Sequence, residues 1–299
     1  VDDATLTSTN YLTDVLSSYG VRFLNEAATR EQPFFLFMSY NAPHTPLEAK
    51  AEDMAAFPGI LDGKRKTYAA MVYAMDRGVG DLVDTLKANG QFDSTLIIFL
   101  SDNGGRTDQG ATNTPLRGRK GDVAEGGFRV PMFMHWPGVI PTGGQYDHPV
   151  SAIDFYPTFV RLGEATVPPG KELDGFDIWD AILAGESGRV GEPIFTLRHN
   201  AGYGTTGEHS VGIRKDQWKA TRWTGFGEPI TWKLFDIEAD IHEDNDLSGT
   251  YPTILSNMVV EADRWGQTHI LPLWYDDYDQ EQMWIDRGLP RYDEVFTQP

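Results

Sequence analysis

The 299 residues contain no cysteine, which excludes disulfides, thiolate metal sites and cysteine nucleophiles within them. Long hydrophobic runs are missing too. No stretch approaches the roughly 18–20 apolar residues that a membrane-crossing helix needs. Val1-Asp2-Asp3-Ala4 has neither a basic start nor an apolar stretch behind it, so no signal peptide is read there. Internal repeats and low-complexity tracts are lacking. Positive charge is scarce: 25 Lys and Arg stand against 44 Asp and Glu, a formal net charge of −19. Such a polyanion is repelled by nucleic acid and by anionic membrane surfaces, which argues against a general binder of either. Against that background a local cluster of cations carries weight. What is present is ordinary for a globular chain, at 40% hydrophobic and 12% aromatic, and long enough for one large α/β domain or two smaller ones.

Apolar residues at Leu12, Val15, Leu16, Tyr19, Phe23, Leu24 and Ala27 predict a helix over about 9–30, with Gly20 as a cost inside it. The short run Phe34–Met38, between Pro33 and Asn41-Ala42-Pro43, reads as a strand buried on both faces. A second helix is predicted over about 65–89, with Met71, Val72, Met75, Val79, Leu82, Val83 and Leu86 turned to the core and Gly90 as its stop. Leu96–Leu100 and the region of about 130–136 read as further strands, and 153–162 as a helix. Strands alternating with helices predict an α/β fold with a doubly wound, mostly parallel sheet.

After about Gly188 short strands dominate, at about 193–197, 211–214, 218–222 and 232–237. An amphipathic helix follows at about 252–265, then an aperiodic stretch from Leu271 to Pro299 rich in Trp, Tyr and Asp. Residues 1–188 are therefore read as the main α/β domain. Residues 189–299 are read as a smaller α+β subdomain with an antiparallel sheet and a surface-wrapping tail.

Ligands of parallel α/β sheets bind outside the carboxyl ends of the strands, and three polar groups fall there. His44 lies in Asn41-Ala42-Pro43-His44-Thr45-Pro46, where prolines on both sides stiffen the loop. By itself it is better explained by a loop histidine capping backbone groups. Ser101-Asp102-Asn103-Gly104-Gly105 offers a carboxylate and a carboxamide, hard oxygen ligands for Ca²⁺ or Mg²⁺, although such sequences also make simple turns. The third group, Arg117-Gly118-Arg119-Lys120-Gly121, sets three cations among glycines and reads as an anion site or as a solvated basic loop. Asp122 and Glu125 are close enough in sequence to neutralise part of it, and Arg106 adds a fourth cation nearby.

The order and spacing of these motifs together resemble the formylglycine-dependent sulfatases, of the alkaline-phosphatase-like superfamily. Tyr11-Leu12-Thr13-Asp14, Gln32-Pro33-Phe34-Phe35, Asp154-Phe155-Tyr156-Pro157-Thr158, Leu173-Asp174-Gly175-Phe176-Asp177 and Trp232-Lys233-Leu234-Phe235-Asp236 are similar to that family as well. The resemblance covers most of the chain and is weakest after about Leu247. It implies that His44 contacts the sulfate ester and helps the leaving oxygen, that Asp102 and Asn103 are two ligands of one Ca²⁺, and that Lys120 contacts the sulfate and assists the leaving group. Negative charge builds on the leaving oxygen of a sulfate ester, so a metal, a lysine and a protonated histidine aimed there lower the barrier.

The family's nucleophile is a formylglycine made from Cys or Ser in Cys/Ser-x-Pro-x-Arg. Neither version is present; the nearest spacing, Asn113-Thr114-Pro115-Leu116-Arg117, starts on a residue that cannot be oxidised to the aldehyde. The family's paired N-terminal aspartates and its Lys-x-His motif are not found either. All three belong upstream of the family region where Val1 stands. The expectation is therefore a C-terminal two-thirds, completed by the N-terminal portion of the same enzyme, on this or a separate chain, which supplies the formylglycine and the rest of the Ca²⁺ shell.

The implied function is hydrolysis of sulfate esters of a carbohydrate or polysaccharide by a periplasmic or secreted enzyme. Trp223, Trp232, Trp274 and Tyr275 are candidates to stack on sugar rings, and Arg198, His199 and Asn200 to read hydroxyl or sulfate groups, with Arg106 and Arg117 as further substrate contacts. Core packing is the commoner use of such aromatics. A phosphodiesterase or phosphonate hydrolase of the same superfamily, and a non-catalytic fragment, are the alternatives.

Overall fold

The computed structural model describes residues 8–199, 209–224 and 231–268. The stretch from Leu271 onward lies outside them, as do Asn200, Trp274, Tyr275 and the side chains of His199 and Trp223. The chain divides into two compact units. No helix of the described residues is long and apolar enough to cross a membrane.

The first unit comprises Val1–Ser101, Gly105–Thr112 and Pro131–Gly143. Its helices are α1 (Leu12–Ala27), α2 (Ala51–Ala55) and α3 (Lys64–Ala88). The deepest face of α1 is Thr13, Ser17, Gly20, Leu24 and Ala27. The larger residues of the predicted stripe flank it, and Leu12 and Tyr19 are exposed. Small residues win because the neighbours come so close: a β-carbon on Gly20 would stand 2.7 Å from Leu82 Cδ2 and 2.9 Å from Met38 Sδ. Gly20, counted as a cost in the sequence, is a packing seat. The three helices are also pinned by charge, with Arg77 of α3 bonded to Asp14 of α1 and Asp53 of α2, and Lys50 to Asp14.

Phe34–Met38, read as a strand, has no regular secondary structure and joins no ladder among the described residues. Phe34 meets Phe23 edge-on and Met38 lies by Gly20, whereas Phe35 and Phe37 are 70% and 76% exposed. The expected burial on both faces is therefore corrected to burial on one. An unbroken apolar run carries no alternation from which to tell the two faces apart.

Strands β1 (Ile97–Leu100) and β2 (Met132–His135) pair with Phe99 stacked on Phe133 at 4.9 Å. This pair is antiparallel, where the sequence pattern suggested parallel neighbours. The intervening chain holds only short turns of helix, and a parallel pair needs a full crossover. Sheets that are mostly parallel commonly carry such an antiparallel member.

The second unit comprises Asp102–Gly104, Asn113–Val130 and Gly144–Pro299. It contains the short α4 (Glu125–Phe128), α5 (Phe155–Leu162) and α6 (Trp179–Ala184). A four-stranded antiparallel meander follows: β3 (Ile194–His199), β4 (His209–Lys215), β5 (Trp218–Thr224) and β6 (Trp232–Asp236), in that order. Opposed residues share a face, and the registers give the two faces opposite characters. One carries Val211, Ile213, Ala220 and Leu234 and packs on Met258 and Ala262 of α7 (Pro252–Gly266). Arg222 is the exception there, lying over the Trp232 ring at 5.9 Å. The other face carries Arg198, Ser210, Gly212, Arg214 and Lys219.

Asp154, part of the family-like segment 154–158, is fully buried and structural. It accepts hydrogen bonds from Arg189 Nε at 2.7 Å, from Phe176 N at 2.9 Å and from Ser151 N at 2.8 Å.

Candidate active site

His44 belongs to the first unit, at the surface. Its backbone N–H donates to Asn41 O, and its Nδ1 lies 2.7 Å from Thr45 O. A carbonyl oxygen only accepts, so Nδ1 carries the hydrogen. The neutral ring therefore holds its lone pair on Nε2, the atom that becomes a donor when the ring is protonated.

Asp102 and Asn103 lie in the second unit together with the lysine loop. Asn103 Nδ2 donates to Asp102 Oδ1 at 2.7 Å, which turns the carboxamide nitrogen towards the carboxylate and leaves its oxygen as the ligand atom of the pair. The donors are hard oxygens and fit a hard cation. Two of them fill only part of the six to eight positions of a Ca²⁺ shell, and no group of three or more His, Cys, Asp or Glu that could hold a metal ion occurs among the described residues.

The turn bearing this pair is laid directly on the lysine loop. Gly104 N donates to Gly127 O at 2.8 Å, and a β-carbon on Gly104 would stand 1.8 Å from Gly126 O. The loop is closed on itself by Gly126 N to Arg117 O at 2.7 Å and by Arg119 N to Asp122 Oδ2 at 2.8 Å. Lys120 sits within that closure, half-buried, and pairs with no residue among those described. Gly121 beside it has φ +91°, a conformation that side chains rarely adopt.

The structure distributes the other candidate cations unevenly. Arg198 Nη1 is 4.0 Å from Asp122 Oδ1, and its guanidinium carbon is 3.1 Å from where a Gly121 β-carbon would be, so Arg198 stands against the lysine loop. Arg117 donates to Glu243 O at 3.0 Å. Arg106, in the first unit, is held by Asp108 through two hydrogen bonds, at 3.1 and 2.6 Å, and this pairing keeps the Asp108 carboxyl well below its ordinary range. The side chain of His199 lies outside the described residues.

Glu125 does not neutralise the loop cations as its sequence position suggested. It is buried and bonded to Lys219 Nζ at 2.9 Å, with Arg214 at 3.3 Å and Arg129 at 3.4 Å on its other oxygen. Burial alone would push its carboxyl up; Lys219 and Arg214 reverse this and hold it below the ordinary glutamate value. Glu243 completes the cluster, with Oε1 on Lys219 at 2.9 Å and Oε2 accepting from Glu125 N at 2.7 Å. Sequence reading missed Lys219, Arg214 and Glu243. The only signal was a charged residue in the middle of a predicted strand, and that does not point to a partner.

These features can be compared with known proteins. A family model described as Sulfatase matches residues 2–165, and one described as N-sulphoglucosamine sulphohydrolase, C-terminal, matches residues 120–261. Arylsulfatase J of Mus musculus is 33% identical over 285 residues, covering 83% of this chain and 47% of that protein. The crystal structure of Ps i-CgsB in complex with k-i-k-neocarrahexaose superposes with a TM-score of 0.91 at 45% identity, covering 99% of this chain and 64% of that one. The PsFucS1 sulfatase from Pseudoalteromonas sp. gives a TM-score of 0.69 at 25% identity, covering 85% of this chain and 52% of that one. The chain thus spans less than two-thirds of these relatives. Its fold is the alkaline-phosphatase-like α/β architecture of its structural neighbours, with an antiparallel sheet in the C-terminal part. With one family model covering more than half of its residues, the chain belongs to the sulfatase family.

Proposed function

We propose that this chain is the C-terminal two-thirds of a sulfatase that hydrolyses sulfate esters of a carbohydrate. The observation that carries the reading is the Gly104–Gly127 hydrogen bond, which sets a pair of hard-oxygen ligands against a loop whose lysine has no partner among the described residues. Lys120 would hold the sulfate and stabilise charge on the leaving oxygen. His44, with its proton fixed on Nδ1, would present Nε2–H to that oxygen when protonated. Asp102 and Asn103 would hold Ca²⁺, which when bound supplies Lewis-acid stabilisation of the sulfate oxygens. Arg198, which stands against Gly121 and Asp122 of the lysine loop, would bind substrate.

The formylglycine and the remaining Ca²⁺ ligands belong to further polypeptide in this proposal. Two observations support it: among the described residues Asp102 and Asn103 would fill only part of a Ca²⁺ shell, with no group of three or more His, Cys, Asp or Glu that could hold a metal ion, and Phe35 and Phe37 expose apolar surface. The relative bound to k-i-k-neocarrahexaose makes that oligosaccharide the first substrate to assay. The complete enzyme should release sulfate from it or from an aryl sulfate, and lose the activity on removal of Ca²⁺. Turnover of a phosphate diester with no release of sulfate would replace the reading by a phosphodiesterase, and no turnover of any of the three would leave a non-catalytic chain.

A further inference from the structure

Lys219 is fully buried in the middle of an antiparallel sheet, between two carboxylates that are almost as deeply buried. Its ammonium reaches Glu125 and Glu243 at 2.9 Å each and lies 4.5 Å from the centre of the Phe128 ring. Buried ion pairs do not in general repay their desolvation as stability, and apolar replacements of similar volume are often as stable. What such a cluster does supply is geometry. Glu125 opens the turn whose Gly126 N–H holds Arg117 O and whose Gly127 O holds Gly104 N–H. Glu243 fixes the Glu125 backbone N–H, offers its own carbonyl to Arg117, and does so from φ +57°, a conformation that costs a glutamate energy.

We propose that Lys219 is a positioning residue: by clamping Glu125 to Glu243 it fixes the loop of residues 117–127, and through it Lys120 and the Asp102–Gly104 turn. The link to catalysis rests on the sulfatase reading of Lys120; the clamp itself does not.

Hydrogen exchange read by mass spectrometry on the 299-residue chain tests the clamp. Lys219→Met should speed exchange of the 117–127 amides by about tenfold or more, leaving α5 within about twofold. Arg189→Met, which breaks the comparably buried pair with Asp154, should do the reverse. Unchanged protection of 117–127 in Lys219→Met, or equal acceleration everywhere, overturns the proposal. If Lys219→Met does not fold, Glu243→Gln is read in the same way. In the complete enzyme Lys219→Met should lower kcat by about a hundredfold with KM within about threefold. An unchanged kcat refutes the link to Lys120. Absence of sulfate release by the wild type refutes the sulfatase reading and leaves the exchange result standing.

Discussion

Gly104 N–H donates to Gly127 O at 2.8 Å, and there is no room for a side chain on Gly104. Gly104→Ala should therefore force the two loops apart. Overpacking of this kind costs about 1–3 kcal/mol, read as a lower urea midpoint, and activity of the complete enzyme should fall with it. Gly80 in α3 is the control, since a β-carbon there meets nothing within 4 Å. Gly80→Ala should stabilise by about 0.5–1 kcal/mol.

Lys120 has no internal partner among the described residues, so its loss should not be felt in folding. Lys120→Ala should leave the urea midpoint within about 0.5 kcal/mol of wild type while turnover of the complete enzyme falls by about two orders of magnitude or more. Arg106 is committed to Asp108, so Arg106→Ala should change turnover far less than Lys120→Ala. Near-normal turnover in Lys120→Ala would remove the lysine from the reaction.

The Glu125 carboxyl is depressed below its ordinary 4.5 because Lys219 and Arg214 outweigh its burial. A depressed acid binds its proton more readily in the unfolded chain. Its contribution is thus fully present above about pH 4.5 and lost as pH falls from there through the lower folded value. Asp246, where hydrogen bonds from Ser248 and Leu234 outweigh burial, acts in the same direction. Glu125→Gln should cost about 3–5 kcal/mol at neutral pH and make the acid limb of the stability curve shallower without abolishing it. A parallel curve would show that Glu125 does not titrate in unfolding.

Phe35 and Phe37 of the first unit are 70% and 76% exposed, and apolar surface of that kind drives association. The double change Phe35→Ser with Phe37→Ser should reduce self-association of the 299-residue chain, measured by light scattering, with little change in its thermal midpoint. In the complete enzyme the same pair should be destabilising if further polypeptide covers these rings.

Local signals survived from sequence to structure, and long-range ones did not. The helix read at about 65–89 is Lys64–Ala88, and that at about 252–265 is Pro252–Gly266, because periodicity and stop signals act over a few turns. The four strand segments of the meander all fell within two residues of their final limits. Which face of Phe34–Met38 is covered depends on what packs there, and the run itself does not say. The cation-rich loop and the Asp-Asn pair were legible as candidates for chemistry. The support beneath them was not, since Lys219 and Glu125 are separated by 94 residues and nothing local announces their pairing.

The two-faced meander has a consequence for how faithfully it assembles. A slip of one residue along β5 would turn Lys219 towards Met258 and Ala262 and offer Ala220 to Glu125. The same error would bury an unpaired ammonium in an apolar interface and strand two carboxylates without their cation. Misregistered pairing is thus rejected from both sides of the sheet at once, and the contact that would orient the lysine loop also proofreads the strand that holds it.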